Sequence, residues 1–318
     1  MRASSCCLEG GAPDDVSIKG TVMSIQKHSC AITGASGYLG SRLVRALSSE
    51  GWAVYQLTRQ VPNGSGNDQL VVPFSLSKGA PENFFKNKKI ETLIHCAHDF
   101  RPTRWSEIFE LNVKGSIRLM EAARAEGVQT IIFISTMSAF EGCRSLYGKA
   151  KLAVEKRAFQ LGATVVRPGL IYADEPGGMV GSLNKALKFL PVIPLLGNGK
   201  QILHLVHEED LTLLVKRLCL EKRTDLHGPI TAAAENGKTF AEILRVLAAA
   251  QGRRPRFIPV PWQLCWGLLK TIEMCGVKLR FRSDSVVSLI NQDPNPKFEA
   301  TCQTGVHFRD FTLAALGP

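Results

Sequence analysis

The chain has 318 residues, 45% of them hydrophobic and 21% charged, which sets aside wholesale disorder, collagen-like repeats and a small disulfide-stapled scaffold. Lysine and arginine total 39 against 28 aspartates and glutamates, a net charge of +11 that suits anionic ligands. No apolar stretch reaches the roughly 18 residues of a membrane span; even residues 257–277 are interrupted by Pro259, Pro261, Gln263, Lys270 and Glu273.

The basic residues are spread along the chain. Their densest cluster, Arg253, Arg254 and Arg256, is broken by Pro255 and lacks interleaved aromatics, so neither a nucleic acid nor a membrane is expected as partner. Nine cysteines show no C-x-x-C pair and no zinc spacing, so no metal site is expected. Cys30 and Cys96 fall inside strand-like runs as small hydrophobes. The odd cysteine count and the lack of a signal peptide point to a cytoplasmic protein. Met1–Val22 is Gly/Ser-rich without periodicity and is expected to be a disordered tail, with Met23 as a candidate biological start.

From His28 onward, short apolar strands alternate with helical stretches, the order that builds a doubly wound parallel α/β sheet. The strands are expected at Ser29–Thr33, Ala53–Thr58, Leu70–Pro73, Thr92–Cys96, Thr130–Ser135 and Thr164–Arg167. Leu39, Leu43 and Leu47 mark one helix stripe, ended by Gly51. Trp105–Glu126 and Tyr147–Gln160 predict two more helices, closed by Gly127 and Gly162. After Arg167, prolines and glycines punctuate a loop-rich stretch around helix Ser182–Phe189; Glu208–Leu220 and Phe240–Gln251 predict later helices. The expected division is a disordered 1–22, a nucleotide-binding domain over 23–175 with 200–228 returning to it, and a smaller substrate lobe from 176–199 and 229–318.

Three places carry chemistry. Thr33-Gly34-Ala35-Ser36-Gly37-Tyr38-Leu39-Gly40 follows a strand and opens a helix, where glycines allow a tight turn and close approach of a pyrophosphate to the helix's positive end. The second strand ends Thr58-Arg59 with no acidic residue in reach along the chain, which favours NADP(H) while leaving NAD(H) possible. Tyr147 and Lys151 stand one helical turn apart, after a hydroxyl cluster at Ser135, Thr136 and Ser138. A free phenol has a pKa near 10; a nearby cation can lower that value by about one to three, making a usable acid–base group.

These motifs, with Ile94-His95-Cys96-Ala97-His98 and the run Arg167–Gly178, resemble the extended short-chain dehydrogenase/reductase family, in its nucleotide-sugar epimerase/dehydratase branch. The resemblance implies a Rossmann-type sheet with a smaller C-terminal substrate lobe. It implies cofactor contacts from Gly34, Ser36, Gly37, Tyr38, Leu39, Gly40, Thr58, Arg59, Ser75, Cys96, Ala97 and Pro168, besides Tyr147 and Lys151. It carries catalytic roles over to Tyr147, Lys151 and Thr136 (Ser138 as the fallback hydroxyl), and a proton-relay role to Asn112. Leu196–Gln201 and Leu205–Leu211 are similar to the stretch beside the substrate diphosphate, with Lys185, Lys188 and Lys200 as neighbouring cations. Three departures stand out: Ser75 replaces an acidic adenine contact, Met137-Ser138 replaces the Asp-Glu pair of 4,6-dehydratases, and Gln201 replaces a frequent arginine.

The expected activity is hydride transfer at a carbinol or ketone carbon of a nucleotide-sugar, as epimerase or reductase, with a possible homodimer through the helices at Trp105–Glu126 and Tyr147–Gln160. The alternatives are an NADPH-dependent ketoreductase of a non-nucleotide carbonyl compound, with Trp262 and Trp266 near its pocket, and a non-catalytic dinucleotide-binding scaffold.

Overall fold

Alternating strand and helix signals resolve into one parallel sheet. The computed structural model describes residues 28–59, 70–174, 177–221, 228–277 and 281–312, so the readings for Met1–Val22 and Met23 lie outside the described residues. In chain order come β1 (Ser29–Thr33), α1 (Tyr38–Ser49), β2 (Ala53–Thr58), β3 (Val71–Pro73), α2 (Phe84–Asn87) and β4 (Thr92–His95). Then follow α3 (Trp105–Ile108), a π-helical turn (Phe109–Lys114), α4 (Gly115–Ala125), β5 (Thr130–Ile134), α5 (Leu146–Gln160) and β6 (Thr164–Pro168). The remainder is β7 (Leu170–Tyr172), α6 (Gly178–Phe189), β8 (Val192–Leu196), β9 (Ile202–Leu203), β10 (Leu205–His207), α7 (Glu208–Leu220) and β11 (Ile230–Ala232). It ends with β12 (Lys238–Thr239), α8 (Phe240–Ala250), β13 (Arg256–Val260), α9 (Trp262–Met274), α10 (Ser283–Ile290) and α11 (Glu299–Cys302).

Seven strands pair in the order β11-β6-β5-β4-β1-β2-β3, all parallel. The chain winds one way from β1 through β2 and β3 and the other way through β4, β5 and β6. The crevice beyond the carboxyl ends of β1 and β4 is therefore the topological switch point, where ligands bind such sheets. Thr33 lies opposite both Leu57 and His95 there.

Successive strand residues serve opposite faces. Ile32, Ile94 and Ile132 pack with Leu39, Leu43 and Leu47 of α1 and with Leu211, Leu214 and Leu218 of α7. Ala31, Leu93 and Ile131 pack on the other side with Leu119 and Met120 of α4 and Val154 and Ala158 of α5. A separate core holds the C-terminal lobe, where Phe240, Leu244 and Leu247 of α8 meet Leu187, Ile193 and Leu289.

Several boundaries shift by a residue from the sequence expectations, and three differences involve close contacts. The run expected as one helix over Trp105–Glu126 contains a π-helical turn, where Gly115 presses against Leu76: a Cβ there would sit 2.4 Å from the Leu76 carbonyl oxygen. α6 starts at Gly178, a turn before Ser182, because Gly177 lies against the Tyr38 ring. β4 stops at His95, whose imidazole is spent on Thr33 Oγ1 at 2.6 Å and Ser116 Oγ at 2.8 Å. Burial holds that ring neutral, its pKa pushed down to about 3.

Gly40 is the tightest point of the first turn, since a Cβ would lie 2.2 Å from the Gly34 carbonyl oxygen. Gly40→Ala is expected to destabilise the fold by about 1–3 kcal/mol through overpacking. Chemical denaturation checks this, and an unchanged midpoint would show that the turn can relax.

Candidate active site

The glycine-rich turn and α5 meet across a cavity of about 540 Å³ at the switch point. Gly34 takes a left-handed φ of +66°, and a Cβ there would come within 3.1 Å of the Ala97 backbone. Gly37 donates to the Gly34 carbonyl at 2.8 Å and begins α1 with no side-chain cap. The first-turn N–H groups of α1 thus have no side-chain acceptor, the arrangement that receives a phosphate. Gly34, Ser36, Gly37, Tyr38, Leu39 and Gly40 all line the cavity, as do Thr58, Arg59 and Ser75 from the β2 and β3 ends. Cys96, Ala97 and Pro168 line it from β4 and β6, and Thr136, Ser138, Tyr147 and Lys151 complete the wall. A groove of this shape, glycine-floored with a basic residue at the β2 end, fits a dinucleotide.

α5 presents Tyr147, Lys151 and Glu155 along one face, spaced i, i+4, i+8. Lys151 is 4% exposed and donates from Nζ to the Ile134 carbonyl at 2.7 Å. Burial draws its pKa down to about 8, against smaller opposing pulls from Cys96 and Glu155. Burial likewise pushes Tyr147 up to about 12, with the Thr136 hydroxyl pulling the other way. Desolvation of the phenolate thus acts on Tyr147 in the direction opposite to the lowering expected from Lys151.

The structure places other expected residues away from the cavity or gives them further partners. Asn112 does not line the cavity; its Oδ1 accepts from the Asp99 N–H at 2.7 Å and its Nδ2 donates to the Asp99 carbonyl at 3.0 Å. It clamps the loop after β4 from behind. Arg59 has an acidic neighbour after all, Asp99 Oδ2 at 3.4 Å, supplied by β4's loop and not by β2. Asp99 is held mainly by Arg101 at 2.5 Å, while the Arg59 side chain stays 60% exposed. Lys185 and Lys188 face a separate hollow with Arg253, Gln201 donates to the Leu196 carbonyl, and none of these nor Lys200 borders the cavity. Trp262 and Trp266 are also absent from its lining.

The sequence reading missed the lobe's part of the wall. Asp284 Oδ1 and Oδ2 accept the backbone N–H groups of Leu146 at 2.7 Å and Tyr147 at 3.0 Å, capping α5 from α10. Ser288 bonds Ser138 at 2.6 Å, and Arg282 donates to the Phe100 and Pro102 carbonyls. His98 stands edge-on to Tyr147 with ring centroids 4.9 Å apart, and Phe100 lies 5.5 Å from it. Burial drives the His98 pKa well below the ordinary histidine value. The one available signal was Ser283-Asp284-Ser285 ahead of an apolar run, a helix-start pattern whose carboxylate caps another helix. Among the described residues no group of three or more His, Cys, Asp or Glu side chains is placed to hold a metal ion.

The NAD dependent epimerase/dehydratase family model matches residues 30–232, well over half of the chain. The chain belongs to that family. This family member is 32% identical over 237 residues to a ceramide reductase of Caulobacter vibrioides (strain NA1000 / CB15N), covering 73% of each chain. It is 26% identical over 238 residues to the Homo sapiens sterol-4-alpha-carboxylate 3-dehydrogenase, decarboxylating, covering 66% of this chain and 58% of that one. Its fold is similar to MoeE5 in complex with UDP-glucose and NAD, with a TM-score of 0.68 at 20% identity over 91% of this chain and 96% of that one. The protein is thus an enzyme of the NAD-dependent epimerase/dehydratase type, and its motifs, family and sheet agree.

Asp284→Ala removes the acceptors of two N-terminal N–H groups of α5 and is expected to cost about 0.5–2 kcal/mol of stability. Asp284→Asn retains an acceptor oxygen and is expected to lose less. Denaturant titrations of both variants check the order, and equal stability of Asp284→Ala and the unaltered protein would contradict it.

Proposed function

We propose that this enzyme is an NAD(P)H-dependent reductase of a ketone carbonyl on an apolar, lipid- or sterol-like substrate, with NADP(H) the favoured cofactor. The observation that carries the reading is the character of the cavity beyond Tyr147. Phe100, Met179, Leu203 and Leu289 line the cavity there, with His204, Ser285, Ser288 and Gln292 as uncharged polar neighbours. The cation there, Arg282, is engaged with two backbone carbonyls and lies 3.6 Å from Glu273. A substrate diphosphate would need free cations, and Lys185, Lys188 and Lys200 do not border the cavity. Similarity to a ceramide reductase and to a sterol dehydrogenase supports the same class of substrate.

When bound, a reduced nicotinamide supplies the hydride for a carbonyl carbon. The chain's own residues handle the oxygen. Tyr147, protonated at neutral pH, gives its proton to the developing alkoxide, and Thr136 orients that oxygen by hydrogen bonding. Lys151, one turn along α5, supplies the site's buried cation and is held in place by the Ile134 carbonyl. The competing reading, a nucleotide-sugar epimerase or reductase, is favoured by the fold likeness to an enzyme holding UDP-glucose.

Following NADPH consumption over a panel of detergent-dispersed long-chain ketones, 3-ketosteroids and keto nucleotide-sugars separates the two. Turnover confined to the apolar ketones is expected; turnover confined to the nucleotide-sugars would transfer the assignment. Tyr147→Phe is expected to lower kcat by about a hundredfold or more while nucleotide binding, read by fluorescence titration, stays unchanged. Near-full activity would remove Tyr147 from the mechanism. Arg59→Glu is expected to weaken NADPH by about tenfold or more relative to NADH, since it replaces the cation for a 2′-phosphate and adds a second carboxylate beside Asp99. Equal losses for both nucleotides would overturn the NADP preference.

A further inference from the structure

Helix α9 is an amphipathic helix with no buried residue. Trp262, Cys265 and Leu269 turn towards the lobe core, while Leu264 and Leu268, one turn apart, are 65% and 64% exposed. They are not isolated. Of fifteen large apolar side chains exposed among the described residues, nine fall within residues 189–192 and 258–277. The β8–β13 ribbon adds to them, because its parallel register puts Val192 beside Arg256 and Pro194 beside Ile258, all four exposed. An apolar concentration of this kind marks an interaction surface.

Its charge identifies the partner. Residues 177–200 contain Lys185, Lys188 and Lys200 and no acidic residue. Residues 251–277 contain Arg253, Arg254, Arg256 and Lys270 against one acid, Glu273. That carboxylate is turned inward, accepting the Ser283 N–H and hydroxyl at 2.8 Å each. Lys185, Lys188 and Arg253 also line a hollow of about 490 Å³ without a carboxylate, Arg253 donating from Nη1 to the Leu187 and Lys188 carbonyls at its wall. Apolar side chains flanked by unopposed cations are what an anionic bilayer attracts, the apolar residues entering the acyl boundary and each basic residue adding about 1 kcal/mol. A second copy of this chain fits poorly, since a two-fold contact would bring the same cations face to face.

We infer that α9, the outer face of the β8–β13 ribbon and the Lys185–Lys188–Arg253 hollow dock the enzyme on an anionic lipid bilayer, the hollow taking a lipid phosphate headgroup. This departs from the sequence-level expectation of no membrane partner, and it concerns the surface only: no helix among the described residues is long and apolar enough to cross a membrane. It deepens the lipid-substrate reading by saying where the substrate is met. The two can fail separately, because docking is measured without substrate and turnover is measured in detergent.

The test is flotation of the full chain with phosphatidylcholine vesicles, with and without phosphatidylglycerol, at low and high salt. Salt-sensitive partition onto the anionic vesicles is expected, reduced about tenfold or more in Leu264→Ser/Leu268→Ser and separately in Lys185→Glu/Lys188→Glu. Both double variants change exposed or half-exposed residues outside the cavity, and unchanged detergent-assayed turnover checks their fold. Equal partition onto neutral and anionic vesicles, no partition at all, or undiminished partition of both variants would overturn the proposal. So would a dimer, detected by light scattering, that the leucine variant dissociates while the unaltered protein ignores vesicles.

Discussion

A buried polar stripe on α5 holds the site together. Glu155 is 1% exposed and its carboxylate accepts from Ser135 Oγ at 2.5 Å and from Arg167 Nε and Nη2 at 2.9 and 2.6 Å. One turn earlier Lys151 bonds the Ile134 carbonyl at 2.7 Å. A buried charge costs several kcal/mol unless it is paired and hydrogen-bonded, so the helix cannot slide along β5 and β6 without orphaning one of these groups. That register puts Tyr147 level with Thr136, just past the end of β5. The lobe reaches across to finish the arrangement, because Asp284 of α10 caps the same helix at Leu146 and Tyr147. The position of the phenol is therefore set jointly by the sheet and by a residue 137 positions away in the chain.

The same burial that fixes the geometry decides the electrostatics. Desolvation penalises the phenolate of Tyr147 and the ammonium of Lys151 alike, pushing one up to about 12 and the other down to about 8. His95 and His98, both driven neutral by burial, add no competing charge. The other end of the cavity differs. Arg59 is 60% exposed and pairs with Asp99 at 3.4 Å, whose carboxylate is shared with Arg101.

The sheet was largely legible in the sequence, because its signals are local. The bounds of β1, β2 and α7 follow from apolar runs, a leucine stripe and the adjoining turns, and the glycine-rich turn locates the switch point. What escaped is what tertiary contact imposes. The π-helical turn exists where Gly115 meets Leu76 and Asn112 grips Asp99, neither of which is a helix-propensity signal. Asp284, Arg282 and Ser288 reach the site only because α10 folds over α5, and no spacing in the chain encodes that. Lys185 and Lys188 were counted correctly as basic residues of the lobe, but charge along a sequence carries no direction, and α6 turns them away from the cavity.

That direction has a geometric consequence. α6 begins beside the cavity, where Gly178 and Met179 form part of the wall, and ends at Phe189, which is 74% exposed. Its twelve residues span about 18 Å, so one helix connects the cavity wall to the basic, apolar outer face. The β8–β13 ribbon makes a similar connection in cross-section, with Ile193 and Leu195 in the lobe core and Val192 and Pro194 outside. A compact polar substrate has no use for such continuity. On the proposed long-chain substrate, the reactive carbonyl would sit by Tyr147 and the tail would run along the lobe outwards.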